Sequence, residues 1–202
     1  SSLLPIPYGG NLAKADIFVL LLNPGFSFTD YYGETEVPAY RAALENNLRQ
    51  SFANTDFPFL WLNPDFCWHG GFCWWEKKLR PTLTRIADKK FKGKYLDAMR
   101  SLSRRLAIIE LIPYHSVSFQ GHGLIKSLPS AIAARLFIHE NVLPDTSAGK
   151  KTIILTRQAA GWDLRQGNRN LVIYQGGQTR GASLGPSTKG GEAILRSYGI
   201  VG

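Results

Sequence analysis

Four short apolar runs constrain this chain more than any other feature: "DIFVLLL" (16–22), "LAIIELI" (106–112), "KTIILT" (151–156) and "NLVIYQ" (170–175). Each is apolar almost throughout, as a strand covered on both faces must be. Helix-forming stretches separate them, over 38–52, 76–88, 94–105, 129–142 and 190–199, and Pro38 and Pro129 suit helix starts. Alternating strands and helices predict an α/β fold. We expect a single domain, 1–202, of three layers, α/β/α, around a mainly parallel four-stranded sheet. The stretch at about 52–80, which includes "FPFLWLNPDFCWHGGFCWWEKKLR", holds all but one of the Trp residues and both Cys. It reads as an insertion that packs an aromatic cluster beside the carboxyl edge of the sheet, where open α/β sheets bind ligands.

Charge points to a partner class. The chain carries a net +9, and its basic residues fall in groups: Lys77, Lys78, Arg80 and Arg85; Lys89, Lys90, Lys92 and Lys94; Arg100, Arg104 and Arg105. Lys and Arg facing phosphates gain by releasing counterions, so a polyanion such as DNA is the expected partner. No apolar run is long enough to span a bilayer, and "SSLLPIPYGGN" lacks the basic start and apolar core of a secretory signal. A cytoplasmic monomer with no membrane role and no obligatory protein partner is expected. Cys67, His69 and Cys73 have ligand-like types, but a structural zinc site needs a fourth ligand. Buried thiols are expected there, with neither metal nor cofactor. No GxxxxGKS-type loop supports an enzyme of free nucleotides.

The first apolar run leads into "LLNPGFSFTDYYGE" (21–34). Asn23 ends a strand, Pro24 stiffens the exit, and Gly25 leaves no side chain between the turn and an approaching group. Alone, this is an Asx-type turn. Three further segments follow in order: "AIIELIPYHS" (107–116), "TIILTRQAAGW" (152–162) and "VIYQGGQTRGASLGPSTKGGEAIL" (172–195). The ordered set resembles the motifs of the uracil-DNA glycosylase superfamily, closest to its Asn-Pro-Gly branches, and spans nearly the whole chain.

The resemblance implies hydrolysis of an N-glycosidic bond after a base is flipped into a pocket. It implies that Asn23 orients the attacking water and that Phe26, Phe28 or Tyr31 stacks on the base. Gly25 stands where the strict uracil-excising branch has a Tyr that excludes bases substituted at ring carbon 5. Glu110 stands where the family has a base-reading Asn. An ionised carboxylate only accepts hydrogen bonds and suits an exocyclic amino group; a protonated one would also serve the ring nitrogen of cytosine. The family's leaving-group His is absent, and Gln175, Gln178, Arg180 or His115 are candidates to replace it. Arg180, Ser187 and Lys189, with Lys77 and Lys78, are the expected DNA contacts. A 5-modified cytosine, as in some phage genomes, fits both departures and implies antiphage defence. Repair of uracil or a damaged pyrimidine, or a binding module without catalysis, are the alternatives.

Overall fold

The computed structural model describes residues 3–165 and 168–200; the side chains of His122 and Arg180 lie outside that description. The strands are β1 (Tyr8–Gly9), β2 (Ile17–Leu21), β3 (Leu106–Glu110), β4 (Thr152–Leu155) and β5 (Leu171–Ile173). They form one sheet in the order β1-β3-β2-β4-β5. The four strands expected from the apolar runs are present and parallel, with Ile17 beside both Leu106 and Thr152. Among the described residues the sheet has five strands rather than four. The added β1 pairs antiparallel with β3 through Tyr8↔Ile109 and Gly9↔Ile108. Two residues in a Pro- and Gly-rich context carry no periodic signal, so the sequence hides it. Gly9 is needed there, because a Cβ would run into the Trp61 ring.

Both faces of the sheet are covered, which is why the strands are apolar throughout. Ile17 and Val19 of β2 pack with Leu106 and Ile108 against one helical layer, and Phe18 and Leu20 face the other. The first layer holds α2 (Pro38–Leu48), α3 (Gly70–Lys90), α4 (Tyr95–Arg105) and the C-terminal helix Lys189–Ser197. The second is built from α5 (Pro129–Phe137), a π-helical segment Ile138–Val142 that continues it, and the short helix Ala159–Trp162. Among the described residues no helix is long and apolar enough to cross a membrane.

Two sequence expectations change. A helix, α1 (Phe28–Glu36), lies where none was expected. The 52–80 stretch is not wholly irregular: two 3-10 turns, Leu60–Leu62 and Pro64–Phe66, lead into α3 at Gly70. His69 caps α3, its Nδ1 accepting from the Gly71 N–H at 3.0 Å. Trp61, Trp74 and Trp75 of this stretch pack at the sheet's carboxyl end.

The strand order creates a switch point. The chain leaves β2 toward β3 on one side, and the next strand, β4, lies on the other side of β2. A crevice therefore opens outside the carboxyl ends of β2 and β4, the usual ligand position in open α/β sheets.

Candidate functional site

A cavity of about 720 Å³ occupies this crevice. The ends of three strands reach it: Leu21 at the end of β2 with Leu22–Gly25 after it, Glu110 at the end of β3, and Thr156–Gln158 after β4. Trp61, Trp74 and Trp75 supply an aromatic wall, with Gly70 and Gly71 lining the cavity beside them.

The exits of β2 and β3 stay zipped beyond the strands themselves. Leu111 N–H donates to Leu21 O, Ile112 N–H to Leu22 O at 2.8 Å, and Ser116 N–H to Pro24 O. This ladder fixes Asn23 alongside the 114–116 loop. Asn23 Nδ2 donates to Ser116 Oγ at 2.8 Å and to the Pro24 carbonyl at 2.9 Å, with the Tyr114 carbonyl at 3.4 Å. Two carbonyls around one atom demand the donor end of the amide, so its orientation is determined. Oδ1 is left as an acceptor.

Glu110 has 4% of its surface exposed, and its Oε2 is buried without a hydrogen-bond partner. Burial pushes this carboxyl well above the usual carboxylate range. A neutral carboxyl presents one donor and one acceptor side by side. His115 also lines the cavity. Its Nδ1 lies 2.7 Å from the Gly25 carbonyl, which can only accept, so Nδ1 carries the proton. Nε2 is buried and unpartnered.

Sequence reasoning missed Asp30, which lines the same cavity from the first turn of α1. Its Oδ2 accepts from the Ser27 N–H at 2.6 Å, in a capping box. Its Oδ1 lies 3.3 Å from Nε2 of the wholly buried His69. That contact lacks hydrogen-bond alignment, so its attraction is mainly electrostatic. Burial acts to raise the Asp30 carboxyl. The His69 side chain, the Ser27 N–H and the nearby His115 outweigh it and hold Asp30 below its usual value. One cavity thus holds two carboxyls driven in opposite directions, a pattern of acid–base sites. The signal was present as Ser-x-x-Asp in "SFTD".

Two rim residues outside glycine have left-handed backbone, Gln158 (φ 58°) and Ala182 (φ 42°). Each such conformation costs about 1–3 kcal/mol and clusters at functional sites.

Of the expected site residues, the fold gathers Asn23, Gly25, Phe26, Glu110 and His115 around one cavity. A Cβ on Gly25 would meet nothing within 4 Å, so the space beside it is open. Phe28 is 88% exposed and leans edge-on against Phe26, outside the cavity lining; Tyr31 is likewise exposed and does not line it. Both ride on α1, whose first turn directs them to solvent. Gln175 and Lys189 lie in a separate cleft of about 380 Å³ beside β5, because the chain turns away after β5. Ser187 and Lys77 are exposed. Lys78 sits over the Trp74 ring and donates to the Gly181 and Ala182 carbonyls, so it clamps the rim loop. Arg180 has its backbone in the short helix Gln178–Gly181, and its side chain lies outside the described residues. Cys67 and Cys73 are exposed, not buried in the aromatic cluster. His69 is wholly buried and caps α3, while Cys73 Sγ lies 3.4 Å from the Cys67 carbonyl. Among the described residues no three His, Cys, Asp or Glu side chains could share a metal ion.

Comparison with known proteins finds no matching family model, no matching curated protein and no matching solved structure.

Proposed function

We propose that this chain is a DNA glycosylase related to the uracil-DNA glycosylase superfamily, acting on a flipped base of modified-cytosine type. One observation carries the reading: Asn23, with its acceptor oxygen free, shares a cavity with the buried, unpaired Glu110. A buried carboxyl without a partner is costly in a structural setting, and its retention at a strand end argues for a ligand.

In this reading a base enters the cavity with its pairing edge toward Glu110. The neutral carboxyl donates its proton's hydrogen bond to ring N3 and accepts from the exocyclic amino group. Donation to N3 also draws off charge as the base departs. Asn23 Oδ1 accepts from a water and aims it at the sugar carbon. The open space at Gly25 admits a group on ring carbon 5. A role in defence against phage with modified cytosine follows from that substrate. Uracil is the second reading, because a neutral carboxyl can exchange its donor and acceptor oxygens to meet uracil's edge.

The test is incubation with normal, uracil-containing and phage-modified DNAs. Alkali then cuts strands wherever a base is lost, and mass spectrometry identifies the released bases. Release of a 5-modified cytosine supports the reading, and release of uracil alone shifts it to repair. Intact strands from every DNA would overturn catalysis and leave a binding module.

A further inference from the structure

Asp30 belongs to an arrangement that a helix cap does not require. A capping box needs only the carboxylate and the Ser27 N–H. Here the second carboxylate oxygen faces a buried imidazole held in one tautomer. His69 Nδ1 accepts from Gly71 N–H, so the ring proton sits on Nε2, toward Asp30. The ring is stacked on Tyr40 at 4.4 Å and flanked edge-on by Trp68. The loops carrying the pair are stitched together, with Thr29 Oγ1 accepting from Gly70 N–H at 2.9 Å and touching Ser27 Oγ. The side chain of Asp30 keeps 13% of its surface exposed on the cavity, while His69 has none. An oriented, wholly buried histidine behind a cavity-facing carboxylate is a device for holding that carboxylate in place and ionised.

We propose that Asp30 is the catalytic carboxylate of this cavity and that His69 is its positioning residue; the inference rests on the glycosylase reading. The water oriented by Asn23 bonds through its oxygen to the sugar's anomeric carbon and passes a proton to Asp30. The carbon–nitrogen bond breaks, and its electron pair stays on the base, which takes a proton from Glu110. Solvent removes the proton from Asp30 and restores that of Glu110, so the net change is water added across the bond. The carboxylate's charge also faces the cationic character that develops on the sugar. The charged and titratable groups facing Asp30 are His69 from the cap of α3, His115 from the loop after β3 and Tyr40 from α2; Glu34, one turn further along α1, lines the same cavity and acts on Tyr40. Arg41 of α2 offsets Glu34, 3.5 Å away.

The experiment is single-turnover base release, on whichever DNA the wild type attacks, as a function of pH. Asp30→Asn keeps the cap acceptor and the shape but cannot take a proton. It should slow release by ~10²–10⁴-fold, the usual range for a positioned base. Asp30→Glu, which keeps a carboxylate, should recover part of that loss. His69→Phe keeps the ring stack and removes the N–H. The active form is the ionised carboxylate, so the rate falls as pH drops through its pKa. Without His69 that acid limb should move to higher pH, a shift that a purely structural role would not cause. Melting temperatures establish that each variant is folded. Parental rates for folded Asp30→Asn, or an unmoved acid limb in His69→Phe, would overturn the pair while leaving the glycosylase reading intact. A wild type that releases no base from any DNA would overturn both.

Discussion

Two clefts of this molecule differ in what they bury. The cavity at the switch point encloses Glu110 and the His115 ring nitrogen, each hidden from solvent with a polar atom unpartnered. The cleft beside β5 is lined by Asn168, Arg169, Gln175, Lys189 and Glu192, all exposed and free to keep their water. Arg196, half-buried there, donates to the Arg169 carbonyl. Polar groups left exposed cost little, whereas an unpaired buried one costs on the order of 1–3 kcal/mol. On the proposed function, the contrast favours the first cleft for chemistry and leaves the second, at most, phosphate contact.

Rebuilding a wall in the first cleft is the harshest test of that contrast. Gly25→Tyr should fold, since the site has open space and no left-handed backbone. It should abolish release of bases bulky at ring carbon 5 and spare unsubstituted ones; unchanged release of both would remove Gly25 from the pocket. Next, Asn23→Ala should cut base release by at least ~10² while DNA affinity, measured by titration, stays near the parental value.

The third test reads stability. Glu110→Met replaces an unpaired buried carboxyl by an apolar chain, so it should raise stability by about 1–3 kcal/mol while ending activity. Glu110 titrates higher folded than its ordinary value of 4.5. Its contribution to folding is fully present below about that pH and is lost as pH rises through the folded value. The melting temperature of the parent should therefore fall relative to Glu110→Gln as pH increases from 4.5, and parallel curves would mean the carboxyl is solvated.

The smallest effects belong to the second cleft. Gln175→Ala should leave base release unchanged. Lys189→Ala should lower the salt slope of DNA binding by about one unit and weaken all sequences alike. A loss of turnover in either would erase the distinction between the clefts.

The four parallel strands were legible because burial on both faces leaves an unbroken apolar run. Much of the cavity was legible too, since Asn23, Gly25 and Glu110 sit at or just past the ends of such runs. What escaped has identifiable causes. α1 contains Gly33 and few apolar positions, so its only clear mark is the Ser27–Asp30 capping box. The start of α3 is masked by two glycines and by a histidine cap, outside the Ser, Thr, Asp and Asn that announce most helices. Asp30 and His69 meet only because these two hidden helix starts lie side by side. Gln175 and Lys189 follow the chemistry-rich order of the sequence, but the turn after β5 carries them to another face.

The zipped strand exits have a consequence for synthesis. Asn23 is fixed by Ser116, 93 residues later, and Leu20 accepts from Thr156, 136 residues later. The central strand therefore leaves the ribosome long before either neighbour exists. During that interval "DIFVLLL" is an uncovered, uncharged-but-for-Asp16 segment of high β-propensity, the kind that self-associates or recruits a chaperone. The strand that anchors the cavity is therefore also a part of the nascent chain that needs protection.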